Sequence, residues 1–435
     1  MIEKMKDRLT DALATARRKG ASAAKIAFGQ KERIGCSFEA GRLKGAETSQ
    51  SASYQVTVLV GNRRGTALGT DVADLSEIIS RAVALARAGS AAHFEAYPQP
   101  GDFTPVATWS QGTAELPRDK LIDSSQQIVD ALKEYDPELF IEAGGHRSES
   151  EFLLVTTGGV CHETRSTNWN LGAWAQRTEG TDMLFAGFGR AWNRLTDLYD
   201  PAHIGEQILD DLRHGERVAD APRGTCVALL HPDALAMLLG AVEMGINGRN
   251  VAKGDSPLRD RLGEKVLDES LTILDHPHVA FAPGAAEIDA DGVPTRKMPL
   301  FSRGVLERFL YDLDSAGLAG TEPTGHSGCR AHYLDVAPGE RPHAELLAGV
   351  KDGLYLKGFI GFGQGNLING DFSCNVALGF RIQDGEITGR VKNTMVAGNV
   401  YELLASGVEL SSDRDPIRRM PHAVVGGLNV ATAQG

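Results

Sequence analysis

The stretch from Thr225 to Gly263 restricts the folds open to this chain more than any other. It begins with TCVALL, residues Thr225–Leu230, an apolar run with the length and composition of a buried strand. Pro232 and Asp233 fit the first turn of a helix. Proline loses no hydrogen bond there, and the carboxylate meets the positive end of the helix dipole. Leu235, Leu238, Leu239, Val242 and Ile246 then recur at i, i+3, i+4, i+7 and i+11, one apolar stripe. Gly245 and Gly248 end the helix, and a Lys253-Gly254 turn leads into a second polar segment. A buried strand feeding an apolar-striped helix needs a sheet to cover both. The chain beyond supplies turns for one. Asp291-Gly292, Asn369-Gly370 and Asp384-Gly385 are hairpin dipeptides between apolar runs.

The amino-terminal half reads differently. Helices are predicted over Ile2–Lys19, Leu75–Arg87, Leu121–Lys133 and Ile204–Arg213, from their apolar spacing. Between them lie strand-like runs: Ala23–Phe28 and Glu32–Glu39 around a polar turn, then Ser51–Gly61, Gly65–Leu68, Leu139–Thr156 and Cys161–Arg177. Ala219–Gly224 (ADAPRG) marks the boundary by its proline, glycine and small residues. The expectation is an α+β protein with a mixed α/β amino-terminal domain, 1–218, and a sheet-rich carboxyl-terminal domain with a packed helix, 219–435.

Charge and composition narrow the function. The net charge is −12 and no basic block stands out, which argues against nucleic-acid binding. No apolar run approaches a membrane span, and the start, MIEKMKDRLTDAL, is an amphipathic helix and not a signal peptide. Cys36, Cys161, Cys226, Cys329 and Cys374 are scattered, odd in number and without a CxxC pair, as expected of reduced thiols in a cytoplasmic protein. Fifty glycines favour turn-rich sheet with close backbone approaches.

The order of several short motifs resembles one family, the TldD/PmbA proteins, known for peptide-processing metalloproteases and first described as modulators of DNA gyrase. The matching segments are Asp289–Phe309 (DADGVPTRKMPLFSRGVLERF), Ser315–Gly325 (SAGLAGTEPTG), Asn369–Ile387 (NGDFSCNVALGFRIQDGEI) and Thr394–Leu404 (TMVAGNVYELL). In the catalytic TldD branch the central helix carries H-E-x-x-x-H, a glycine-rich turn ending in K-G, and a later R-[IL]-G. The turn is kept here as Gly245, Gly248, Lys253-Gly254 and Arg261-Leu262-Gly263. The ligands are not. Leu239 and Met244 stand where the two histidines would be, and Gly240 where the glutamate would be. Leucine cannot bind a metal, a thioether suits Cu(I) better than a water-activating Zn²⁺, and glycine offers no general base. That is the pattern of the TldE/PmbA-like branch.

The resemblance implies a subunit that is inactive alone and has no cofactor or catalytic residue of its own. It would pair with a TldD-like catalytic subunit that carries the zinc. The pair would process unfolded or ribosomally made peptides, including leader removal in modified-peptide biosynthesis. An isolated chain could form a homodimer.

Some residues invite a direct reading. In Phe359–Phe372 (FIGFGQGNLINGDF), Gly361, Phe362, Gly363, Gly365 and Asn366 are candidate substrate contacts, because glycine-rich strands with free edges can accept a substrate strand. The same glycines also fit bulges and tight turns. His326, Cys329 and His332 occur at a spacing of three, and imidazole and thiolate suit Zn²⁺, although one short run rarely makes a whole site. His276 and His278 read as exposed residues of an edge segment, and Glu243 as a solvated or capping carboxylate. Ser256 and Ser302 lack a nucleophile pattern, and no Walker or dinucleotide fingerprint is found. Two other functions stay open: a stand-alone homodimeric peptide-binding scaffold, and an independent metalloenzyme using His326, Cys329 and His332.

Overall fold

A computed structural model describes residues 2–70 and 75–432. The fold is α+β. The first half is one antiparallel sheet in the order β3-β2-β1-β4-β5-β6. Its strands are β1 (Ala23–Glu39), β2 (Arg42–Val60), β3 (Arg63–Gly69), β4 (Phe140–Thr156), β5 (Cys161–Glu179) and β6 (Asp182–Trp192). Helices α1 (Ile2–Arg18) and α2 (Leu75–Ala88) cover one end of the sheet, where Ile26, Val56, Val58, Ile78 and Ile79 are buried. Helices α4 (Arg118–Tyr135) and α5 (Pro201–His214) cover the other, over Trp169, Leu171 and Ile141; the short α3 (Gln111–Ala114) precedes them.

The structure departs from the sequence reading at three strands. β1 runs unbroken through Gly29–Lys31, β2 starts nine residues before Ser51, and β6 was not anticipated. Residues 42–50 are exposed throughout, so they lack the apolar alternation that marks a half-buried strand. Ladder bonds hold them instead, since β1 is paired along its length with β2 and along most of it with β4.

The chain leaves this sheet at Trp192, crosses α5, and joins a second one at β7 (Val218–Ala219). Its main strands are β8 (Gly224–Leu230), β13 (Asp352–Ile360), β14 (Asp371–Gln383), β15 (Glu386–Val391), β16 (Thr394–Asn399) and β18 (Met420–Thr432), with β17 (Glu409–Asp415) paired to β18. The ladder closes on itself: β13 pairs with β8, β8 with β18, β18 with β16, β16 with β14, and β14 returns to β13. The closed ring leaves β15 with β7, and β17, as branches outside it. Helix α6 (Pro232–Ile246) packs on β13 and β18, and α7 (Gly248–Lys253) follows it. A four-stranded sheet of β11 (Val305–Leu306), β10 (Met298–Ser302), β9 (Ile273–Asp275) and β12 (Leu334–Val336) lies in the same half, with α8 (Leu313–Ala319), α9 (His343–Gly349) and α10 (Val400–Leu403). Lys357 Nζ lies 2.7 Å from both carboxylate oxygens of Asp211, tying β13 to α5.

Candidate functional site

Helix α6 begins as its sequence dictates. His231 is the N-cap, its Nδ1 accepting from the Asp233 N–H at 3.2 Å, and Pro232 takes the first helical position. Leu235, Leu238, Leu239, Val242 and Ile246 are all buried in the carboxyl-terminal core. The helix is regular α from Pro232 to Ile246. Residues five apart on such a helix point about 140° from each other. Leu239 accordingly sits in the core, 2% exposed, whereas Met244 is 37% exposed. A side chain at Gly240 would meet nothing within 4 Å. One side chain is inside, one is outside, and neither is a hard or borderline donor. The three positions do not fit a zinc ion.

The outward turn of α6 has another task. Glu243 Oε1 accepts from the Ala331 N–H at 2.6 Å, and Asn247 Nδ2 donates to the carbonyls of Gly328 and Cys329 at 3.3 and 3.1 Å. These residues, four apart, clamp the loop His326–His332. Glu243 was expected to be solvated or capping. It is half-buried, and burial pushes its carboxyl above the usual range, against the pull of the Ala331 N–H and Arg330.

The loop delivers its two histidines to one carboxylate. Ile273 and Asp275 alternate onto the same buried face of β9, 2% and 0% exposed. A buried carboxylate must be fully partnered. Oδ2 of Asp275 lies 2.8 Å from His326 Nε2 and 3.0 Å from His332 Nδ1. Oδ1 accepts from the backbone N–H groups of His332 and Tyr333 at 2.8 and 2.9 Å. Burial disfavours the charge, but the bonds from His326, His332 and the Tyr333 N–H outweigh it and hold Asp275 well below the usual carboxylate range. Gly284 permits this placement, because a Cβ there would stand 1.8 Å from the His332 carbonyl oxygen.

Cys329 is turned away from the two histidines. With φ of +57°, following Gly328 at +71°, its backbone is left-handed. Its Sγ lies 3.1 Å from Ser315 Oγ and 3.4 Å from the Asp312 backbone N, and burial raises its thiol pKa. Of His326, Cys329 and His332, the fold thus brings the histidines together and separates the cysteine. The third donor is Asp275, 51 residues before His326. The one sequence signal for it was a lone acid at an inward position of an otherwise apolar strand, ILD.

The neighbouring histidines, expected to be exposed on an edge segment, lie just past the end of β9 and are half-buried. His276 Nδ1 is 3.4 Å from Asp335 Oδ2, and His278 Nε2 is 3.0 Å from Thr295 Oγ1. A second cluster was not anticipated. The His343 and His422 rings stack at 3.8 Å, His231 lies 5.4 Å from His422, and Tyr355 Oη is 3.3 Å from His422 Nε2. Burial, then His343, His231 and Lys357, push His422 down to about 2.

Gly361, Phe362, Gly363, Gly365 and Asn366 lie between β13 and β14, in and beside two 3₁₀ turns. They form turns and no strand, so the strand edge inferred for them is not one these residues offer; the β13–β14 ladder ends at the Ile360–Asn375 pair. Phe362 is buried against Phe359 and Phe372, while a Cβ at Gly363 would meet open space. Tyr401 Oη fixes this connection beside α6, bonding the carbonyls of Ile368 at 3.2 Å and Ala241 at 3.4 Å.

Comparison with known proteins places the chain in a family of metallopeptidase domains. The model described as PmbA/TldA metallopeptidase C-terminal domain matches residues 223–432, and that for PmbA/TldA metallopeptidase domain 1 matches residues 24–86. The chain belongs to the TldD/PmbA family. Metalloprotease PmbA of Escherichia coli O157:H7 is 25% identical over 410 residues, 90% of this chain and 87% of that protein. A metalloprotease of Methanothermobacter thermautotrophicus is 36% identical over 171 residues, 38% of this chain, so the match spans only 37% of that protein's length. The crystal structure of TldE from Thermococcus kodakarensis shares the fold, with a TM-score of 0.87 and 22% identity over 98% of this chain and all of that one.

Proposed function

We propose that this chain is the non-catalytic, TldE/PmbA-like subunit of a heteromeric zinc-dependent peptide-processing protease. The observation that carries the reading is α6: an unbroken α-helix with Leu239 in the core, nothing at Gly240 and Met244 facing outward. The zinc, the general base and the attacking water then belong to a TldD-like partner. This chain shapes the enclosing cavity, and the connection Gly361–Asn366 beside α6 lines part of the substrate groove. The substrate class is extended peptide, unfolded or ribosomally made, including leader segments of modified peptides.

A cytoplasmic setting is supported by five free cysteines, one of them exposed. Among the described residues no helix is long and apolar enough to cross a membrane. Analytical ultracentrifugation of the chain with a TldD-type protein bearing H-E-x-x-x-H tests the pairing. The expected result is a heteromer that forms at the expense of any homodimer. A homodimer that ignores the partner would instead favour a stand-alone peptide-binding scaffold.

A further inference from the structure

We propose that Asp275, His326 and His332 form a binding site for one divalent cation of the Zn²⁺ class, distinct from the lost positions on α6. The three donor atoms lie within 4.8 Å of one another. Two imidazoles and a carboxylate are a borderline N/O donor set, with a further position left for water. Donors around tetrahedral zinc stand roughly 3.3 Å apart, given metal–ligand bonds of about 2.0–2.1 Å. The Asp275–His326 and Asp275–His332 edges, 2.8 and 3.0 Å, need to open by a few tenths of an ångström, and the His326–His332 edge, within 4.8 Å, has to close by up to about 1.5 Å, a movement that falls to the partly exposed His332 ring.

The outer shell is already built. Metal-bound histidine donates its remaining N–H to a fixed acceptor, and bound carboxylates are themselves hydrogen-bonded. His326 Nδ1 lies 2.9 Å from Thr324 Oγ1, and that hydroxyl is anchored by the N–H and carbonyl of Tyr311 at 2.8 and 3.1 Å. Asp275 Oδ1 is held by two backbone N–H groups, leaving Oδ2 as the ligand atom. The His332 side chain is 14% exposed and gives the route of entry, whereas Asp275 and His326 are sealed.

The ion's charge would meet the Asp275 carboxylate, and with His326 Nε2 on the metal its Nδ1 faces Thr324 Oγ1, whose own hydroxyl donates to the Tyr311 carbonyl. The site does not rest on the subunit reading and supplies no step to it.

The test uses the untagged full chain, stripped with chelator and titrated with Co²⁺ and then Zn²⁺. The expected result is one equivalent of Co²⁺ with tetrahedral visible absorption, displaced by Zn²⁺. C329S should keep that signal, H332A should lose it, and T324V should weaken binding roughly 10–100-fold. Wild-type protein that binds no Co²⁺ would reduce the cluster to a hydrogen-bonded carboxylate. Retention of the signal by H332A, or its loss in C329S, would equally overturn the assignment.

Discussion

Helix α6 and the loop His326–His332 lie against each other and divide what a metal site needs. The helix has the position and flanking turns that the family uses for ligands, but its side chains are Leu239, Gly240 and Met244. The loop lacks the family's motif, yet it places two imidazoles on a buried carboxylate. What joins them is a clamp, Glu243 and Asn247 of α6 holding the backbone of residues 328–331. The helix's packing stripe and its outward turn are independent: one side fills the core while the other holds the loop.

That contrast breaks most readily at Asp275. Replacing it with alanine strands two imidazoles and two buried N–H groups and should cost about 3–5 kcal/mol, read by chemical denaturation. Since its folded-state pKa is depressed, the Asp275 contribution is present above the ordinary value of about 3.9 and is lost as pH falls below it. The gap between wild type and D275N should therefore narrow in acid. A gap that widens there would mean the carboxylate is not held ionised.

The helix side is sharpened by restoring family residues singly. L239H puts an unpartnered imidazole into the core and should cost about 3 kcal/mol. M244H, at an exposed position, should stay within about 0.5 kcal/mol. Equal effects would contradict the claim that the two positions face opposite environments.

At the start of α6, His422 packs with His231, His343 and Tyr355 and feels the charge of Lys357. Its folded pKa, lowered to about 2, means the unfolded chain takes up a proton first. Stability should therefore fall below pH 6.5, by up to about 1.4 kcal/mol per pH unit from this group. H422F should flatten that acid limb. The smallest effect is expected at Cys329, where C329S keeps the contacts to Ser315 and Asp312 and should cost no more than about 1 kcal/mol.

How much of this was legible follows from where the information sits. The apolar stripe of α6, its proline start and the hairpin dipeptides are local, so their consequences could be read directly. Residues 42–50 were missed because their order comes from ladder partners and not from burial. The loop's two histidines were visible as a pair, but their partner was not. Asp275 reaches them through the pairing of β9 with β12, a long-range contact that spacing alone does not encode. Cys329 misled for the opposite reason: it is close in sequence, and two left-handed residues turn it away.

The central claim is that catalysis needs a partner, and peptidase activity tests it most directly. The chain, a TldD-type protein with H-E-x-x-x-H, and their mixture would each be given the same unfolded peptide. The account predicts chelator-sensitive cleavage that depends on the partner's motif and no cleavage by this chain alone. Chelator-sensitive cleavage by the isolated chain would contradict it.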